Sequence, residues 1–220
     1  MGIRNDARLA RLLAASEARG RGERTSSAPE GAWAKVERKS RSGQESVSVK
    51  SNVHIRVLGV DTALRKTGWG VIEINGRTIT AVDCGVIVNP PSSSICDCMR
   101  SLNSAVKDLL VRYAPDEIAI EGGFYCRNAR TAIILGTARG AVLGVLAEAE
   151  LPVYEYAPRR AKQAVTGRGS ATKEQVAAMV SNFLNIQVSN LADDSTDALA
   201  LAICHAKQRS NPLGEVGNLI

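Results

Sequence analysis

Arg56-Val57-Leu58-Gly59-Val60-Asp61, followed by Thr67-Gly68-Trp69-Gly70-Val71-Ile72, decides how this chain folds. The first run reads as a short buried strand ending in a bare carboxylate, and the second as a strand starting on glycines after a turn. Asp61 therefore stands at the carboxyl end of a central strand. An isolated Asp at such a place is as readily a turn cap. A desolvated charge there is costly unless something compensates it, and a metal cation is a common compensator. The choice depends on whether other acids converge on it.

Working outward, Ile55–Asp61, Gly68–Ile74 and Thr78–Val88 are three β-rich runs, with Asn75-Gly76 as a hairpin turn between the last two. Ile95–Tyr113 repeats Met99, Leu102, Val106, Leu109 and Leu110 at helical spacing, and Pro115 stops it. Glu117–Glu121 is a second strand ending in an acid. A long helix follows over about Ala129–Glu150, with Gly136, Gly140 and Gly144 on one stripe that permits close backbone approach to a sheet or a partner helix. Pro152–Tyr156 is a strand and Pro158–Val165 a short helix. Thr172-Lys173-Glu174-Gln175 has capping-box spacing for a helix to about Leu184, and without a Gly before Lys173 the preceding Gly167-Arg168-Gly169 loop is no P-loop. A last helix from about Asp193 is apolar nearly all round and so buried. That order of elements, sequential strands followed by α/β alternation, predicts an α/β fold with a mixed five-stranded sheet flanked by helices.

Composition sets bounds. The 220 residues carry a net charge of +6, concentrated at the N-terminus: residues 1–52 hold 11 Lys/Arg against 6 Asp/Glu, the remainder 17 against 16. The high pI is thus a property of residues 1–52, which read as a basic low-order extension with a short helix at most over Asn5–Ala18. A folded domain is expected over 53–210 and a tail over 211–220; a translation start near Val53 is a further reading of the leader. The five cysteines are scattered and only two histidines exist, so no zinc-ligand spacing can be built. Reduced thiols fit a cytoplasmic protein. Arg139 divides the apolar run at 132–147, so no membrane span is expected, and no signal core precedes it.

Asp194 and Asp197 lie three apart and share one face at the first turn of the last helix. Either Asp193 or Asp194 could simply cap that helix. With Asp61 and Glu121, however, they make four acids, each at the terminus of a core element. All-oxygen ligands suit Mg²⁺ or Mn²⁺. Two such ions roughly 3.5–4 Å apart activate a water and stabilise a leaving oxygen, which points to phosphodiester hydrolysis. His205 lies too far along the last helix from Asp194 to join them, and is expected at the surface or in packing.

At these residues the chain resembles the RuvC family of Holliday-junction resolvases, in the RNase H-like superfamily. The resemblance covers about Ile55–Gln208. It is carried by Gly59-Val60-Asp61 with Thr67-Gly68-Trp69-Gly70-Val71, Ala119-Ile120-Glu121 with Phe124 and Asn128-Ala129, and Leu135-Gly136-Thr137-Ala138-Arg139-Gly140. Further carriers are Tyr156–Val165, Gly167–Lys173 and Ala192–Ala200. It implies that Asp61, Glu121, Asp194 and Asp197 are a metal-binding catalytic quartet for two Mg²⁺, with Mn²⁺ as substitute. It implies that Lys162 and Lys173 approach the scissile phosphate and that Phe124 stacks on bases beside the junction point. Arg127, in the same loop, is a candidate phosphate contact. It further implies a homodimer, four-way junction DNA as substrate, and a branch-migration helicase as partner. Thr62-Ala63 stands where the family usually has Pro-Gly, and Gly122-Gly123 precedes Phe124 where the family is bulkier. A junction-binding protein without cleavage, or an actin-like ATPase or sugar kinase, would share parts of this pattern; the kinase reading needs a second phosphate hairpin and domain for which the chain has no room.

Overall fold

The computed structural model describes residues 54–122, 128–186, 192–210 and 217–220. Strands β1 (His54–Asp61), β2 (Lys66–Asn75) and β3 (Thr78–Val88) form an antiparallel meander. Its tight turn places Gly76 at φ 61, the left-handed region that a residue without Cβ enters freely. Helix α1 (Ile95–Tyr113) begins under Ser94, whose hydroxyl accepts the backbone N–H of Asp97. It ends at Ala114, in left-handed conformation immediately before Pro115. Then come β4 (Glu117–Glu121), α2 (Ala129–Glu148), β5 (Val153–Tyr156), α3 (Pro158–Thr166), α4 (Lys173–Leu184), α5 (Asp193–Arg209) and a two-residue β6 (Asn218–Leu219).

The sheet runs β3-β2-β1-β4-β5-β6, with β4 parallel to β1 and β5, and β6 antiparallel to β5. This is the mixed α/β sheet expected, with one difference. There are six strands rather than five, because Asn218 and Leu219 in the expected tail add an edge to β5. The three helices read from the sequence after Tyr156 all follow β5. The sixth strand was illegible because two residues carry no period. The remaining boundaries fall within two residues of those read from sequence.

Side chains alternate across a strand, so each strand supplies both faces of the sheet. Leu58, Val60, Ile118 and Ile120 point to one side, where Val106, Leu110, Val142 and Leu146 of α1 and α2 cover them. Val57, Ile72, Ala119 and Tyr156 point to the other, under Val176 and Val180 of α4 and the buried run of α5. Leu58 and Ile118 are fully buried, and truncating either to Ala should cost about 2–5 kcal/mol. The same alternation fixes the site. Asp61 is in phase with Val57, and Glu121 with Ala119, so both acids leave the sheet on the α5 side.

Candidate active site

Three elements meet at the carboxyl end of the central strands. Val60 pairs with Ile120 across the parallel β1–β4 ladder, which puts Asp61 beside Glu121. Helix α5 descends onto this corner because the strands beneath it are bare. A Cβ on Gly59 would overlap the carbonyl oxygen of Ala198, and one on Gly68 that of Asp194. The glycines quoted at the outset are therefore the notch that admits the helix bearing Asp194 and Asp197. The N-cap of α5 is Ala192, with no side-chain cap hydrogen bond, so neither Asp193 nor Asp194 caps it. Ser195 and Thr196 instead donate their hydroxyls to the Ala192 carbonyl at 2.6 and 3.3 Å.

Asp61, Glu121, Lys162, Lys173 and Asp197 line one cleft of about 290 Å³ between α3, α4, α5 and the sheet. Asp194 does not line it, though its charge acts on Asp61, Asp197 and Lys173. Lys162 donates to the Ala171 carbonyl at 3.3 Å, and Lys173 pairs with Asp197 at 3.5 Å. Phe124 and Arg127 lie outside the described residues. The turn after Asp61, with Thr62-Ala63 in place of Pro-Gly, is held by Thr67, whose hydroxyl donates to the Ala63 carbonyl at 2.5 Å. Asn89 Nδ2 also donates to the Leu64 carbonyl at 2.8 Å.

The electrostatics are those of an acid cluster short of countercharge. Burial pushes Glu121 up to about 8, reinforced by the charge of Asp61 and by a hydrogen bond the Glu121 carboxyl donates to it. Burial also raises Asp61, with Asp197 and Asp194 adding to the effect and the Glu121 hydrogen bond opposing it. Asp197 is raised by burial against the pull of Lys173. Two carboxyls that hold a proton between them are poorly compensated. Among the described residues the cleft is lined by hard oxygen donors with no thiol or imidazole, which fits Mg²⁺ or Mn²⁺. Among the described residues no three His, Cys, Asp or Glu side chains already stand together as one ion's ligands. The Asp61–Glu121 hydrogen bond and the Lys173–Asp197 ion pair engage oxygens of three of these carboxyls.

A matching sequence profile covers residues 57–205 and is that of crossover junction endodeoxyribonuclease RuvC. This chain belongs to the RuvC family. Among its relatives, the crossover junction endodeoxyribonuclease RuvC of Maricaulis maris is 44% identical over 155 residues, covering 70% of this chain and 92% of that protein. That of Myxococcus xanthus is 45% identical over 152 residues, covering 69% and 80%. Among solved structures, Thermus thermophilus RuvC in complex with Holliday junction substrate aligns with a TM-score of 0.65 at 34% identity, over 70% of this chain and 93% of that one. A second T. thermophilus RuvC structure gives 0.67 at 30% identity, over 76% and 100%. RuvC membership makes the chain a crossover junction endodeoxyribonuclease, a phosphodiester hydrolase of a divalent-metal-dependent family.

Two groups escaped the sequence reading. Arg139, noted as a break in an apolar run and within one block of the resemblance but given no role, donates from α2 to the Glu121 carbonyl and pairs with Glu155 of β5 at 3.4 Å. It holds the end of the RuvC site's second strand from the opposite face of the sheet. A cation in the apolar middle of a helix must find partners, and that was the available signal. His205, expected at the surface or in packing, is in packing and fully buried, and what escaped notice is its polar network. It bridges the Tyr156 hydroxyl and Glu117 Oε2, both at 2.6 Å, while Arg209 takes Glu117 Oε1 at 2.5 Å.

Proposed function

We propose that this chain resolves four-way DNA junctions by hydrolysing symmetric phosphodiesters, in recombination and repair, with Asp61, Glu121, Asp194 and Asp197 holding two Mg²⁺ per site. The observation that carries this reading is the cleft in which Asp61, Glu121 and Asp197 converge with Lys162 and Lys173. When bound, the cations supply a nucleophilic water at neutral pH and compensate charge on the leaving 3′ oxygen. The protein's part is to hold the donors rigid. The Gly59 and Gly68 notch fixes α5 against β1 and β2, and Arg139 fixes the end of β4. Glu121 must release its proton before both strand-end carboxylates are free as ligands. Lys162 and Lys173 supply positive charge at the cleft for the scissile phosphate, and Phe124 and Arg127 follow β4 as base-stacking and phosphate contacts.

Two symmetric cuts call for two sites, and we assign the second to a homodimer built on α2. Positions 136, 140 and 144 have open space within 4 Å of where a Cβ would sit, so the glycine stripe packs on none of the described residues. Ile133 is 68% exposed beside it. Together with Met99, Asn103 and Lys107 of α1, Gly140 and Gly144 line a groove of about 460 Å³. By length and composition α2 is apolar enough to cross a membrane. Its Arg139 is tied to β4 and β5, and its inner face covers the sheet, so a second copy suits the outer face better. A cytoplasmic setting and a branch-migration helicase partner complete the proposal.

The test is cleavage of a synthetic four-way junction beside a linear duplex of the same sequence, with and without Mg²⁺. Paired symmetric nicks on the junction alone, abolished without metal, support the assignment. Equal cutting of both substrates would remove the junction selectivity, and binding without cutting under any divalent metal would leave a binder.

A further inference from the structure

The cleft contains a cation of its own, and its position on the fold is unusual. Lys173 is the first residue of α4, directly after the N-cap Thr172, whose hydroxyl accepts the backbone N–H of Gln175 at 3.4 Å. The N-terminal turn of a helix carries the positive end of its dipole and favours acids, so a lysine there is unfavourable by itself. What offsets it is the carboxylate of Asp197, 3.5 Å from the ammonium. The Lys173 side chain is 60% exposed and Asp197 only 26%. The long flexible stem can therefore swing away while the carboxylate stays fixed. Lys162, the other lysine of the cleft, bonds a backbone carbonyl instead.

We propose that Lys173 is a built-in competitor for the metal: in the DNA-free protein its ammonium occupies Asp197, and the cation gains that carboxylate only when Lys173 leaves it. This deepens the nuclease reading and rests on Asp197 being a metal ligand. An incoming phosphate is the natural destination for the released ammonium, so one side chain serves in turn as placeholder and as substrate contact. Full metal loading is thereby linked to the presence of DNA, which limits idle metal binding by the free protein.

The test is Mn²⁺ binding to the full-length protein without DNA, followed by the paramagnetic resonance of free Mn²⁺, for wild type and for Lys173→Met, Lys162→Met and Asp197→Asn. Lys173→Met should tighten Mn²⁺ binding about two- to fivefold, the range an exposed ion pair supports. Lys162→Met should change it by clearly less, because that ammonium does not sit on a ligand oxygen. Lys173→Met removes no buried group, and an unchanged melting temperature verifies its fold. If Asp197→Asn weakens Mn²⁺ but Lys173→Met leaves it unchanged or weaker, the competitor role is wrong and the metal site stands. Equal tightening by both lysine variants would reduce the effect to overall charge and also overturn it. If Asp197→Asn binds Mn²⁺ like wild type, the ligand assignment fails and the competitor role with it.

Discussion

Strand β4 carries an acid at each end, Glu117 and Glu121, both on the same face and both beneath α5. Their surroundings are opposite. Glu117 meets His205 through one oxygen and Arg209 through the other, and His205 in turn holds the Tyr156 hydroxyl, which accepts from the Gly217 amide at 3.2 Å. Every member of that set is compensated from within the chain. Glu121 meets Asp61 and the charge of Asp197, and is pushed up to about 8. Two positions four residues apart on one strand therefore serve different ends. A satisfied buried network fixes a structure, whereas an acid pair lacking its counterion is arranged for something the chain does not contain.

That contrast is broken most severely at the active end. Asp61→Asn should lower junction cleavage by well over the roughly 10- to 100-fold expected for groups that only support a ligand, with junction affinity retained. Gel assays of nicking and of binding on the same junction separate the two. At the other end, His205→Leu strands Glu117 and the Tyr156 hydroxyl in the interior. It should cost about 2–4 kcal/mol, read as a lowered denaturation midpoint, while the molecules still folded cut normally.

Much of this contrast was legible in the sequence, and unevenly so. Asp61, Glu121 and Asp197 could be placed because each stands at the end of a core element, whereas the close approach of α5 over the glycines of β1 and β2 emerged only in the fold. Lys162 and Lys173 entered only through family resemblance, since nothing local tells a lysine which cleft it faces; the folded chain puts both in the cleft. His205 could be read as a packing residue but not as the centre of a network, because its partners Glu117 and Tyr156 lie 88 and 49 residues away. Arg139 was hidden for the same reason. Asp193 and Asp194 looked like caps by composition, but backbone geometry gave that position to Ala192.

A smaller effect sharpens the line between positioning and chemistry. Arg139 touches Glu121 only through its main-chain carbonyl. Arg139→Gln should therefore lower the cleavage rate about tenfold with little change in junction affinity, and Arg139→Lys should recover part of the loss. Single-turnover rates beside binding isotherms would check this.

The smallest effect is in the pH dependence of the metal-free protein. Glu121 is pushed up to about 8 in the folded protein, above its ordinary 4.5, so the folded state holds its proton more tightly than the unfolded chain. The stability this confers is present below 4.5 and is lost as pH rises towards 8. Between those limits the melting temperature of the wild type should fall by a few degrees more than that of Glu121→Gln. Saturating Mg²⁺ should offset the difference at the upper end, since a ligand bound only by the native state stabilises it.

The most direct test places Glu117→Gln and Glu121→Gln side by side, measuring melting temperature without metal at pH 8 and junction cleavage with Mg²⁺ per folded molecule. The predicted result is a crossing. Glu121→Gln loses cleavage and keeps or gains thermal stability, while Glu117→Gln loses stability and keeps cleavage. If the two variants instead fall together in both measurements, the division of β4 between a structural end and a catalytic end is contradicted.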